Sequence, residues 1–255
     1  MTPPPAERPT FVKATLATAM AELGGSDEFL EFLDFLTEQG SDDLREWVLQ
    51  EGARELFSGG KAQAAREWLL TIEDGKLKER LCQRAGEAFA GTGFEDYLDA
   101  LQPAGIHCQS ALLTGYCKTL AMTDPEGAQR RFKELCVPRR VAYSGMPEVM
   151  SVVPPTADFL KLASFVGADD KTLAKATRTA VLRSWASVDP AAAAEYVLAN
   201  TPFVHADQMA VVVAQWAQTA PAAAAEWLAN APAGTPRDEG MAALARQSTN
   251  ENPSF

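Results

Sequence analysis

Two stretches near the C-terminus, Trp185-Ala-Ser-Val-Asp-Pro-Ala-Ala-Ala-Ala-Glu-Tyr-Val-Leu-Ala-Asn200 and Trp216-Ala-Gln-Thr-Ala-Pro-Ala-Ala-Ala-Ala-Glu-Trp-Leu-Ala-Asn230, match almost residue for residue at a spacing of 31. A repeat of this length encodes a supersecondary unit too small to bury its own apolar face, so copies must stack. Each copy reads as a helical hairpin. A first helix leads up to the Trp-Ala pair; Pro190 or Pro221 then opens a second helix at its first position, where a missing N–H costs nothing and φ is already set. Asp189 is the matching N-cap. The second helix carries an alanine run and a ring, Tyr196 or Trp227, and stops at Asn200 or Asn230, residues that tolerate a left-handed cap, with Pro202 or Pro232 beyond. Small alanines let helices approach closely, and the ring is expected to fill the groove between neighbouring hairpins.

Weaker copies extend upstream. Asp124-Pro125 repeats the helix start, and Pro154-Pro155-Thr156-Ala157-Asp158-Phe159-Leu160 supplies the copy between it and Pro190. Ala64-Ala65-Arg66-Glu67-Trp68-Leu69 and Phe94-Glu95-Asp96-Tyr97-Leu98 occupy the second-helix position without the proline. The pattern predicts helices over 10–23, 26–38, 41–57, 61–73, 76–90, 93–101, 106–123, 125–136, 145–152, 155–167, 170–188, 190–200, 204–219, 221–230 and 236–247. Val211-Val212-Val213 is β-prone but sits in a copy whose sister is helical. The expected fold is all-α: a right-handed α-solenoid of about seven antiparallel helix pairs closed by a C-terminal capping helix. One domain is expected over 10–247, clearest over 170–247, with a disordered tail at 1–9 and a flexible one at 248–255. Met241-Ala-Ala-Leu-Ala-Arg-Gln-Ser248 overlays Met209-Ala-Val-Val-Val-Ala-Gln-Trp216, so the cap should bury Met241 and Leu244 and turn Arg237, Asp238 and Arg246 to water.

The repeat resembles the α-solenoid families, and looks most like the Trp-Ala-x-x-x-Pro-x-Ala-Ala-x-x-Trp helical repeats of bacterial proteins. The likeness is strongest over 170–247. Tetratricopeptide repeats have a period of about 34 with proline after the second helix; here the period is 31 and proline precedes it, so a HEAT-like hairpin is the nearer analogy. The resemblance implies a scaffold or adaptor surface and names no ligand.

Composition narrows the function classes. Of 255 residues, 47% are apolar and 22% charged, which lets burial offset chain entropy and predicts a folded chain. The net charge of −11, from 23 basic and 34 acidic residues, repels phosphate backbones, so nucleic acid is not the expected partner. Residues 1–60 hold 12 acids against 4 bases. No apolar run approaches the roughly 20 residues that span a bilayer, and no secretory signal pattern is read, so a cytoplasmic location is expected.

Little in the sequence points to chemistry. Cys82, Cys108, Cys117 and Cys136 lack paired metal-site spacing and read as buried free thiols. His107 adjoins Cys108, but neighbouring side chains on a helix diverge, and His205 reads as a solvated residue before a first helix. Phosphate loops, nucleophile elbows and His-Glu-x-x-His pairs are absent, so neither catalysis nor a cofactor or metal is expected.

Two charge features remain. Arg130, Arg131, Lys133, Arg139 and Arg140 cluster at the end of a second helix, either as solvated decoration favoured by the helix dipole or as a site for an anion or acidic partner. Asp27, Glu28, Glu31, Asp34, Glu38, Asp42, Asp43 and Glu46 flank Phe29, Leu30, Phe32, Leu33, Phe35 and Leu36, as a core helix capping the array or as an acid-rimmed aromatic groove. The expected function is a non-catalytic scaffold, adaptor or regulatory subunit that binds a protein or peptide. The alternative is an anion- or nucleic-acid-binding solenoid that uses the Arg130–Arg140 cluster.

Overall fold

The structure, a computed structural model, describes residues 31, 35, 47–48, 51–52, 62–73, 75–89, 93–139, 143–165, 171–200 and 205–251. Every regular element among them is helical. The α-helices are α1 (Ala62–Thr71), α2 (Gly75–Ala88), α3 (Phe94–Ala100), α4 (Ile106–Ala121), α5 (Pro125–Arg139), α6 (Met146–Met150), α7 (Phe159–Phe165), α8 (Lys171–Ala186), α9 (Pro190–Ala199), α10 (Asp207–Ala217), α11 (Pro221–Asn230) and α12 (Thr235–Glu251). Short 3₁₀ turns occupy Gln102–Ala104 and Tyr143–Gly145. The tail at 1–9, the helix expected over 10–23 and most of the acidic and aromatic N-terminal positions lie outside the described residues; Glu31 and Phe35 are helical and exposed.

The proline-led starts fall where the repeat puts them. Pro125, Pro190 and Pro221 are each the first residue of a helix. Asp124 Oδ1 accepts from the Gly127 amide at 2.8 Å, and Asp189 Oδ1 from the Ala192 amide at 3.0 Å, satisfying donors the first turn leaves open. Ala220, at the same place before α11, has no side chain to do so. The asparagines end the second helices differently from expectation. Asn200 has φ −105°, outside the left-handed region, and the amides of Asn200 and Asn230 donate to the Tyr196 and Glu226 carbonyls at 2.8 and 2.9 Å. Last-turn carbonyls are thus met by side chains rather than by a reversed backbone.

Three boundaries move. α7 begins at Phe159 rather than 155, because Asp158 Oδ1 caps the Lys161 amide at 3.0 Å and Pro154 and Pro155 lie in the preceding turns. α5 carries Pro138 in its last turn and continues to Arg139. α12 continues to Glu251, beyond the array's expected end at 247.

The chain divides into two compact units, Met1–Thr119 with Arg131–Gly145, and Leu120–Arg130 with Met146–Phe255. In the first, α2 and α4 meet backbone to backbone. A Cβ on Gly86 would overlap the Leu112 carbonyl oxygen and lie 2.8 Å from the Tyr116 amide nitrogen; one on Gly115 would overlap the Gln83 carbonyl oxygen and lie 2.9 Å from the Glu87 amide nitrogen. Farther along, Glu87 takes bonds from Lys118 Nζ and, through its carbonyl, from Thr119 Oγ1, both at 3.0 Å and from residues 31 and 32 positions on. Contacts that climb both helices together mean the two run in the same direction. Leu81, Leu98, Leu101, Leu112, Leu113 and Phe132 are buried in this unit, and Phe94 stacks on Tyr116 with ring centroids 3.8 Å apart.

The second unit repeats the arrangement. Helix α10 packs on α8, α9, α11 and α12, and α12 packs on α11 as well, so successive first helices touch and each of α9 and α11 lies against the two first helices that flank it in sequence. Between α8 and α10, Gln208 Nε2 donates to the Lys175 carbonyl at 3.1 Å and to Thr179 Oγ1 at 2.9 Å, across 33 and 29 residues. Lys175 also pairs with Asp207. Rings meet within hairpins, Trp185 lying 5.5 Å from Tyr196 and Trp216 6.0 Å from Trp227, and also from one helix pair to the next, where Phe159 of α7 stacks on Trp185 at 6.1 Å. Eleven residues separate the partners within each hairpin, enough to turn the chain through one tight hairpin.

Helix α12 departs from expectation. Its buried stripe is Pro236, Gly240 and Ala243, with Gly240 seated against Leu228, Met209 and Val213. Met241 is therefore rotated outward and is 45% exposed, while Leu244 and Arg237 are half-buried and Asp238 and Arg246 face water. Small residues let α12 sit close, and the larger Met241 falls off the inner face.

Candidate functional site

The basic cluster resolves into a ladder and a remainder. Arg131 and Arg139 are eight residues apart on α5, two turns on one face, while Glu95 and Asp99 are four apart on α3. Arg131 Nη2 donates to Glu95 Oε1, with Glu134 Oε2 at 3.7 Å from Nη1. Arg139 grips Asp99 as a fork, Nε to Oδ1 at 2.5 Å and Nη2 to Oδ2 at 2.9 Å. Hydrogen bonds from Arg139 hold the Asp99 carboxyl below its ordinary range despite a small desolvation, and raise both guanidiniums through Glu95 and Asp99. These two arginines are committed to joining helices of the first unit. Arg130 and Lys133 are exposed, and Arg140 lies outside the described residues. The structure thus brings two of the five candidates together, and joins them to acids of the same chain.

The thiols are more informative. All four cysteines are buried and free. The thiols of Cys82 of α2 and Cys108, third residue of α4, are close enough for each to be the largest influence on the other. The Cys108 thiol is lowered because Cys82 donates to it, with Lys78 assisting, against burial and Glu79. The Cys82 thiol is raised by that same bond and by its full burial. Tyr97 lies close enough to be raised first by burial and then by Cys82, with Arg66 opposing. Cys117 of α4 and Cys136 of α5 form an apolar neighbourhood: burial raises Cys117, with Cys136 adding to it, and burial pushes Cys136 up to about 12. Of the four thiols only that of Cys108 is lowered.

Sequence reasoning missed this pair because it looked for short motif spacing, whereas 26 residues separate Cys82 from Cys108. The available signal was positional: both lie on helices that the sequence pattern reads as first helices of successive copies. Glycine 86 and glycine 115, interior to helices at a comparable spacing, mark the same contact.

His107 and His205 are exposed, and the His205 carbonyl accepts from the Gln208 amide at 2.9 Å at the start of α10. Among the described residues no three His, Cys, Asp or Glu side chains come together as metal ligands, and no helix is long and apolar enough to cross a membrane. Comparison with protein-family models, with curated proteins and with solved structures finds no match for this chain.

Proposed function

We propose that the chain is a non-catalytic, cytoplasmic α-solenoid of hairpin repeats that binds a protein or peptide partner on its surface. The observation that carries this reading is the recurrence of one contact between successive first helices, at separations of 31 and 32 residues in one unit and 29 and 33 in the other. Stacked hairpins of this kind present long arrays of side chains on rigid helices, which is what a recognition surface requires. The net charge of −11 favours a partner with a basic face. Commitment of Arg131 and Arg139 to Glu95 and Asp99 weighs against the anion-binding alternative.

The test is capture by the immobilised full chain from an extract of its native host, followed by reconstitution with the purified partner. A stoichiometric complex that weakens as salt rises supports the reading. Failure of every captured candidate to bind in purified form overturns it.

A further inference from the structure

We propose that Cys82 and Cys108 form a reversible dithiol–disulfide site whose oxidant is a small hydroperoxide. The placement follows from the helix crossing. Cys82 lies four residues before Gly86 on α2, and Cys108 four residues before Leu112 on α4, and Gly86 meets the Leu112 backbone so closely that a Cβ would overlap its carbonyl oxygen. One turn back along two helices running the same way, Cys82 and Cys108 come to the same seam, and each is the largest influence on the other's thiol. Disulfides need this proximity, with Cα atoms about 4.4–6.8 Å apart.

The two sulfurs are not equivalent. Cys108 sits in the first turn of α4, where unpaired amides and the helix dipole favour an anion. The residues leading into it, Gly105, Ile106 and His107, are exposed, Ile106 by 44%, so one short turn separates this sulfur from water. Cys82 is wholly buried in the middle of α2. Cys108 is therefore the attacking thiol and Cys82 the resolving one.

With hydrogen peroxide, the Cys108 thiolate forms an S–O bond as the O–O bond breaks, and the departing hydroxide takes up a proton to become water. Cys82 then attacks the Cys108 sulfur, the S–S bond forms as the S–O bond breaks, and the second hydroxide leaves as water with the Cys82 proton. Two thiols lose two electrons, and one peroxide becomes two waters. A dithiol reductant reverses the product by exchange.

The full chain is exposed to hydrogen peroxide, unfolded under acid quench, alkylated and peptide-mapped. The expected result is a fall from four alkylatable thiols to two, a cross-linked peptide joining Cys82 to Cys108, and recovery with dithiothreitol. Cys117 and Cys136 serve as internal controls and stay reduced. In Cys82→Ser the cross-link is lost and dimedone traps a sulfenic acid at Cys108; in Cys108→Ser neither product forms. Four thiols surviving while a reference thiol peptide is consumed overturns the proposal, as does a cross-link between any other pair. If a serine variant loses helicity, the map of the unsubstituted chain still decides.

Discussion

Replacing Gly86 by alanine sets two effects of opposite sign against each other. Within a helix, alanine is favoured over glycine by about 1 kcal/mol, because glycine loses more backbone freedom on folding. At this position the new Cβ would overlap the Leu112 carbonyl oxygen and stand 2.8 Å from the Tyr116 amide nitrogen and 2.9 Å from the Leu112 carbonyl carbon. Those atoms are backbone, so relief requires α2 and α4 to separate rather than a side chain to turn. Overpacking costs about 1–3 kcal/mol where a core can adjust, and a gap of about 0.5–1 Å forfeits a quarter to a half of each dispersion contact along the seam. The bonds from Lys118 and Thr119 to Glu87 stretch as well. The clash wins, and Gly86→Ala is expected to destabilise by about 2 kcal/mol net. Gly115→Ala should do the same from the other side of the crossing, and the double variant should cost much less than the sum, because helices already parted accommodate the second methyl. Gly75→Ala, where a Cβ meets nothing within 4 Å, is the control and should be neutral or stabilising. Urea unfolding followed by circular dichroism, with Cys82 alkylation as a local probe, measures all four. A Gly86→Ala chain as stable as the control would refute backbone contact between α2 and α4.

Ala220 precedes α11 with φ −147° and ψ 67°, close to the −140° and 84° of Asp189 before α9. Ala220→Asp should therefore supply the missing cap and stabilise by about 1 kcal/mol, and an unchanged melting temperature would show that no cap forms. Trp216→Ala removes the partner of Trp227 from a buried position and should cost about 3–5 kcal/mol; faster hydrogen exchange is expected in α8–α12, the helix that carries Trp216 and those packed on it, and unchanged exchange in α2–α4, and uniform loosening would contradict nearest-neighbour packing. Asp99 titrates below its ordinary 3.8 because Arg139 donates to it, so its stabilising effect is present above that value and is lost as pH falls through the lowered one. The stability difference between the unsubstituted chain and Asp99→Asn should be constant down to about pH 4 and shrink below it; a difference that stays flat in acid would mean that the ion pair contributes nothing.

Helix type and order were legible because the repeat repeats its punctuation. Asp-Pro or Ala-Pro at a fixed place, followed by alanines and a ring, decides where a second helix starts without knowledge of its neighbours. That local logic failed at Pro154-Pro155, where two prolines offered a start and a carboxylate four residues on supplied the cap that was used. It failed again at α12, where overlaying Met241 on Met209 assumed that a first helix always turns the same face inward. In α10 the face holding Met209 is covered by Gly240 of the next helix. The inner face of α12 is fixed by the small residues that allow close approach, which a sequence overlay weighted toward large apolar residues does not register.

The candidate site shows where single-chain patterning stops being informative. A cluster of arginines reads as a free positive patch until acids from an earlier helix are seen beside it, and nothing in the spacing of Arg131 and Arg139 names Glu95 and Asp99 as partners 36 and 40 residues back. Cysteines 26 residues apart read as unrelated until two first helices are laid side by side. In both cases the neighbours lie 26 to 40 residues apart in sequence, an interval that no short motif spans. Cys82 and Cys108 lie on two helices whose backbones meet at Gly86 and Gly115, with the Cys108 thiol lowered and the Cys82 thiol raised by one another. If the packing of α2 on α4 brings together two groups able to react, a substitution that parts the helices at Gly86 should slow disulfide formation as well as destabilise the fold.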